Sequence, residues 1–244
     1  MIKVDVLIIG GGFAGVSAAQ ELEKNGIATL LIDKKDYFEV TFATLRNAAA
    51  PSITNNDARK QYKHFLSGSF KQASVETLNN QTAILADGTQ VQFRTAIIAS
   101  GSRYPTMPMA KSNSALSINL RNKEMAKYHQ QIQSASKILV IGGGVVGVEL
   151  AGEIAYAFPQ KHTILAHNTD ALLDGFKSKT RTIALKQLKN LGVNIELNAN
   201  YRNVDGVYIE QNSKQVADAD LVLPAVGTLP NSEFLQPQLA HILD

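Results

Sequence analysis

Two stretches decide the fold: Val4-Asp5-Val6-Leu7-Ile8-Ile9-Gly10-Gly11-Gly12-Phe13-Ala14-Gly15, and Lys137-Ile138-Leu139-Val140-Ile141-Gly142-Gly143-Gly144-Val145-Val146-Gly147. Each is a short apolar run, rich in β-branched residues, of the kind buried in a parallel sheet, and each runs into Gly-x-Gly-x-x-Gly. Gly10 and Gly142 permit a tight turn. Gly12 and Gly144 let backbone N–H groups approach a pyrophosphate at the positive end of the next helix, and Gly15 and Gly147 let that helix pack closely on its strand. After the first turn, Val16, Ala19 and Leu22 mark one side of a helix that Asn25-Gly26 stops. Ile27 to Ile32 then reads as a second buried strand. It ends on Asp33, 23 positions after Gly10, where a carboxylate can accept hydrogen bonds from both hydroxyls of an adenosine ribose. Strand, turn, helix and acid in register predict a dinucleotide site.

The second module repeats the plan, with Val148 to Phe158 as its helix, closed by Pro159, and Thr163 to Ala166 as its next strand. Gly10 and Gly142 are 132 residues apart and Gly101 and Gly227 are 126 apart, so a whole module recurs. Between the copies the chain turns β-rich: Val75 to Leu78, Ala83 to Leu85, an Asp87-Gly88 turn, Val91 to Phe93 and Ala96 to Ala99. Ala184, Leu188 and Leu191 stripe a helix over Thr180 to Leu191, stopped by Gly192, and short strands lead to Leu221 to Ala225. The expected architecture is α/β: two tandem Rossmann-like dinucleotide-binding folds with a small antiparallel β insert. The expected division is 1–113, 114–230, and the start of a return to the first domain over 231–244.

Composition narrows the chemistry. The 244 residues are 45% hydrophobic and 18% charged, which suits a packed globular chain. No apolar run reaches the roughly 18 residues of a membrane span, and Ile2 to Ile9 is interrupted by Lys3 and Asp5, so no leader is expected and the expected location is cytoplasmic. The cysteine count is zero, which excludes thiolate zinc sites, cysteine nucleophiles and a redox dithiol. Redox chemistry must come from a bound cofactor. The net charge is +3 and the basic residues are scattered, so no nucleic-acid footprint is expected. His64, His129, His162 and His241 lack metal-ligand spacing, and no metal is expected. At the counterpart of Asp33 the second module carries His167, then Asn168. No carboxylate stands there to repel a 2′-phosphate, and Lys177 and Lys179 follow, so NADPH is expected to be accepted at least as well as NADH. His167 reads either as a ribose contact or as an ordinary surface histidine.

Two dinucleotide folds in tandem imply two nucleotides held face to face, and in this the chain resembles the flavoproteins whose first fold holds FAD and whose second holds NADH or NADPH. The stretches Leu31-Ile32-Asp33-Lys34-Lys35-Asp36-Tyr37-Phe38, Ala43-Thr44-Leu45-Arg46 and Gly142 to Glu153 are similar to the ferroptosis-suppressor branch of the apoptosis-inducing-factor-like oxidoreductases. Type II NADH:quinone oxidoreductases are near relatives. The resemblance implies that Gly10, Gly12, Phe13, Ala14, Gly15, Asp33 and Lys34 hold the ADP half of FAD, that Arg46 lies near the flavin, and that Val75 meets the adenine through its backbone. It implies that Ala99-Ser100-Gly101 is the family's Ala-Thr-Gly turn with serine for threonine. It also implies that Gly142, Gly144, Gly147 and His167 take the nicotinamide nucleotide, that Glu149 sits near the nicotinamide, and that Gly227-x-x-Pro230 closes the second fold beside the flavin. For Glu149 the alternative is a first-turn glutamate stabilised by the helix dipole.

The implied activity is FAD-dependent oxidation of NAD(P)H, with hydride passing from nicotinamide to flavin and electrons then to a quinone-like small molecule. A nucleotide binder without turnover, and a reductase for a protein such as ferredoxin or rubredoxin, are the competing readings. Residue 2 is Ile, so the Met-Gly myristoylation signal of some relatives is not expected, and peripheral membrane contact is left open. Relatives continue with a Gly-Asp strand that binds the ribityl chain and with a C-terminal domain. Neither is expected before Asp244.

Overall fold

In the computed structural model, which describes residues 1–54, 58–235 and 239, the first apolar run is strand β1 (Ile2–Ile9). Helix α1 (Phe13–Lys24) lays Gly15, Val16 and Ala19 against the sheet, and β2 (Thr29–Asp33) returns parallel to β1 with Ile32 opposite Ile9. A segment the sequence left unread follows: β3 (Tyr37–Glu39), α2 (Thr44–Ala49), α3 (Pro51–Thr54) and β4 (Arg59–Gln61), which pairs antiparallel with β3. Then come β5 (Ser69–Gln72), β6 (Val75–Leu78), β7 (Thr82–Leu85), β8 (Gln90–Ile98) and β9 (Ser102–Arg103). The sheet runs β5-β2-β1-β8-β7-β6.

Two expectations change here. The strands expected at Val91–Phe93 and Ala96–Ala99 are one strand, because Arg94 and Thr95 are exposed positions within it and not a break. β8 pairs parallel with β1 from Val91 opposite Ile2 to Ile98 opposite Ile9, while only its first residues, Gln90 to Gln92, pair antiparallel with β7. The antiparallel β6–β7 hairpin therefore extends the parallel sheet through β8.

The second fold opens with α4 (Ile118–Ser134), then β10 (Lys137–Ile141), α5 (Val145–Ala157), β11 (His162–Ala166), α6 (Ser178–Asn190) and β12 (Asn194–Glu196). β13 (Tyr201–Val204), β14 (Val207–Glu210), β15 (Leu221–Pro224) and β16 (Leu229–Pro230) complete it. Its sheet, β12-β11-β10-β15, has the order of β5-β2-β1-β8. The β13–β14 hairpin turns on Asp205 and Gly206, both left-handed at φ 51° and 88°, as a two-residue hairpin turn demands. Helix α5 begins at Val145, not Val148, because Gly144 is its N-cap and its carbonyl accepts from the Val148 N–H. Helix α4 was not expected: a polar surface hides its stripe, although Ser117 caps it and Met125 and Ile132 are buried.

The two folds share packing. Leu45, Ala48 and Ala49 of α2 belong to the buried cluster built on Ile138, Val140, Leu150 and Ile154, so α2 is wedged against α5 and α4. After β16, which pairs with β9, the Leu78 N–H donates to Phe234 O at 3.2 Å, and Phe234, Leu235 and Leu239 pack on the first core. The rest of the return expected over 231–244, residues 236–238 and 240–244 including His241, lies outside the described residues. No described helix is long and apolar enough to cross a membrane.

Candidate dinucleotide sites

Steric demands account for the first glycine turn. At Gly10, with φ +104°, a Cβ would come within 2.3 Å of Ala99 O, and at Gly15 within 1.8 Å of Gly10 O. The first glycine thus lets the Ala99-Ser100-Gly101 turn close on β1, and the third lets α1 press onto the turn. Gly12 is different: nothing stands within 4 Å of where its Cβ would be. The helix that starts there has neither a capping side chain nor an acidic residue in its first turn. Its positive end is left for an external anion, and the cradle fits a pyrophosphate.

Around it lies a cavity of about 910 Å³ lined by Gly10, Gly12, Phe13, Ala14, Asp33, Lys34, Val75, Ala99, Ser100 and Gly101. Asp33 is oriented by backbone donors: Gly11 N–H gives to Oδ2 at 2.6 Å and Lys35 N–H to Oδ1 at 2.8 Å. Gly11 and Tyr62 were missed in the sequence. The Tyr62 hydroxyl donates to Gly11 O at 2.7 Å, and a Cβ on Gly11 would lie 2.1 Å from the tyrosine oxygen. The available signal was the glycine triplet itself. Lys35, whose ammonium lies 5.4 Å from the centre of the Tyr37 ring, and Lys111 also line the cavity. Burial lowers both ammonium pKa values, that of Lys35 to about 8. Desolvated cations facing a cavity favour an anionic occupant.

Glu39, which also lines the cavity, is held by two buried arginines: Arg59 Nε donates to its Oε1 at 2.7 Å and Arg121 Nε at 2.8 Å. Arg121 also donates to Met109 O and Pro108 O, and Arg59 to Asn47 and Asn122, so β3, β4, α2, α4 and the linker meet at one charge cluster.

The second turn repeats the first. Gly142 has φ +113°, a Cβ on Gly147 would lie 1.8 Å from Gly142 O, Gly144 opens on empty space, and α5 starts without cap or acid. His167 takes the structural place of Asp33: the Gly143 N–H donates to its Nδ1 at 3.1 Å as Gly11 does to the carboxylate. Glu149 lies in the second turn of α5, because the helix starts at Val145, which removes the first-turn dipole as its explanation. Burial and neighbouring Glu153 raise its pKa, against Arg46. Arg46 is not among the cavity-lining residues. It reaches from α2 to α5, where Nε and Nη2 donate to Glu153 Oε1 at 2.9 and 2.7 Å. Gly227, at φ +72°, precedes the β16–β9 pairing that ties the end of the second fold to the first.

A family model described as pyridine nucleotide-disulphide oxidoreductase matches residues 4–242. Ferroptosis suppressor protein 1 of Xenopus tropicalis is 35% identical over 242 residues, covering 92% of this chain and 63% of that protein. The human protein of the same name is 34% identical over 69% of this chain and 45% of its own length, and apoptosis-inducing factor homolog B of Dictyostelium discoideum is 27% identical over 99% and 68%. The chain thus spans about two thirds or less of these relatives. The crystal structure of reduced Bacillus anthracis CoADR-RHD superposes with a TM-score of 0.74 at 16% identity, over 96% of this chain and 45% of that one, which shows the shared fold.

Proposed function

The chain belongs to the pyridine nucleotide-disulphide oxidoreductases, a family that binds FAD and uses NAD(P)H, and from that premise we propose that it oxidises NAD(P)H through FAD and delivers electrons to a quinone-like acceptor. Residues 1–113, with the return after 230, would form the FAD half, and 114–230 the nicotinamide half. The observation that carries the reading is the doubled cradle: two glycine turns, each with an open middle position and an uncapped helix start, on sheets of the same strand order. When bound, FAD supplies a carrier that takes hydride from the nicotinamide and releases electrons onward.

The protein's part is position and charge. The N–H groups at the start of α1 and Lys35 and Lys111 would neutralise the pyrophosphate, Asp33 would accept from the adenosine ribose, and the backbone at Val75 would meet the adenine. On the other side Gly144 would admit the second pyrophosphate, His167 would face its ribose, and Glu149 would border the nicotinamide. The quinone-like acceptor rests on the resemblance to type II NADH:quinone oxidoreductases. Because the chemistry resides in the cofactor, no acid or base is needed for the first half-reaction. The direct check on the FAD assignment is Asp33→Ala, expected to weaken FAD binding by about 1.5–3 kcal/mol, the value of a charged hydrogen-bond acceptor. An unchanged FAD affinity by calorimetry would remove Asp33 from the site.

A further inference from the structure

We propose that Asp174 is a built-in counter-anion in the second dinucleotide site, standing between His167 and Arg181 where the 2′-phosphate of NADPH would bind, so that the site favours NADH. The proposal rests on reading the second glycine turn as the nicotinamide-nucleotide site, and it reverses the coenzyme preference expected from residues 167, 168, 177 and 179.

His167 occupies the position of the ribose-binding acid but with inverted polarity. Its Nδ1 accepts the Gly143 N–H at 3.1 Å, so the proton of the neutral ring is on Nε2, and the outward face of the ring is a donor. Arg181 adds a second donor set: its Nε is anchored on Leu172 O at 3.0 Å and its Nη2 extends toward Asp174. Two donors converging beyond a Rossmann second strand suit a phosphate oxygen better than a ribose hydroxyl. An anion already stands between them. Asp174 Oδ2 lies 3.8 Å from His167 Nε2 and Oδ1 lies 3.6 Å from Arg181 Nη2, while the Thr169 hydroxyl donates to Oδ2 at 3.0 Å.

The carboxylate is held there by its loop. Leu172 and Leu173 are buried, Leu173 has a left-handed φ of 56°, and its N–H donates to Gly143 O at 2.8 Å. A branched residue adopts that conformation only where the surroundings enforce it. The loop is thus clamped to the glycine turn itself, and Asp174 follows directly. With NADH a ribose hydroxyl can donate to this carboxylate. With NADPH a phosphate must meet it, at a distance where like charges repel.

The test is fluorescence titration of NADH and NADPH against the intact chain and three variants. The intact chain should bind NADH more tightly. Asp174→Asn, at a side chain 56% exposed and so tolerant of exchange, should tighten NADPH about tenfold or more, the size of one relieved charge contact, and should weaken NADH severalfold because its ribose hydroxyl loses a charged acceptor. Arg181→Gln added to Asp174→Asn should cancel that gain. Asp170→Asn removes the same charge from an exposed residue of the same loop and should move the NADPH-to-NADH ratio by less than about twofold. A ratio unmoved by Asp174→Asn, or moved equally by Asp170→Asn, overturns the counter-anion. Failure of the intact chain to bind either nucleotide overturns the nucleotide-site reading and the proposal with it.

Discussion

At the scale of single residues, the first site is governed by charges that burial has made sensitive. Lys35 faces the cavity with a pKa of about 8 because burial disfavours its ammonium form. A bound diphosphate would raise that pKa, so FAD binding takes up a proton near pH 8. Affinity is therefore greatest below pH 8 and falls as pH rises through it, by up to about tenfold per pH unit for one linked proton. Lys35→Met should bind FAD more weakly and with a flatter profile, to which Lys111 alone then contributes, and titration at pH 7 and 9 would reveal both changes. Glu39 has the opposite logic. Burial alone would raise its pKa, but Arg121 and Arg59 outweigh burial and lower it below the ordinary 4.5. A group depressed in the folded state contributes stability above its unfolded pKa and loses it as pH falls through the folded one. Glu39 thus stabilises the fold above about pH 4.5, and Glu39→Gln, which leaves buried Arg59 without its carboxylate and Arg121 with Glu124 alone, should cost about 3–5 kcal/mol there and less in acid. Denaturant melts of both proteins at pH 7 and pH 3.5 would measure the convergence; a constant gap would contradict it.

At the scale of elements, the legible parts were those whose sequence pattern is local. The glycine turns, α1, β10 and the strand-end position of His167 follow from apolar runs and glycine spacing, and His167 does take the Gly143 N–H as Asp33 takes that of Gly11. What was illegible depends on distant partners. β3 and β4 are three residues each and exist because Glu39 meets Arg59 and Arg121 across 20 and 82 positions. Arg121 looks like a surface residue of a polar helix, yet it is fully buried in α4. Asp174 gave no signal because its role depends on a strained Leu173 and on an arginine seven positions on. The α2–α5 contact belongs here too. Arg46 and Glu153 have side chains 54% and 13% exposed, so their pairing is worth under about 1 kcal/mol. Its expected consequence is electrostatic: Glu153→Gln should leave the melting temperature nearly unchanged but lower the Glu149 carboxyl pKa, both by removing the neighbouring negative charge and by freeing Arg46 for Glu149. Carboxylate NMR titration of Glu149 would detect that shift, and an unmoved titration would show that neither the Glu153 charge nor Arg46 bears on Glu149.

At the scale of the whole molecule, the two folds are copies in strand order. β8 pairs with β7 only as far as Gln92, and from Thr95 to Ile98 it has β1 on one side and no described strand on the other, with Ile98 exposed. β15, its counterpart in the second fold, likewise pairs with β10 alone among the described strands, so the nucleotide ends of the two folds are covered alike. The central claim is that the two sites cooperate in one electron transfer. The measurement that tests it most directly is the flavin absorbance of the chain, reconstituted with excess FAD and freed of unbound flavin, on anaerobic addition of NADH. The account predicts that the oxidised flavin band bleaches in proportion to NADH added and returns when a soluble quinone is admitted. A protein-bound flavin that keeps its oxidised spectrum while NADH is demonstrably bound would contradict it.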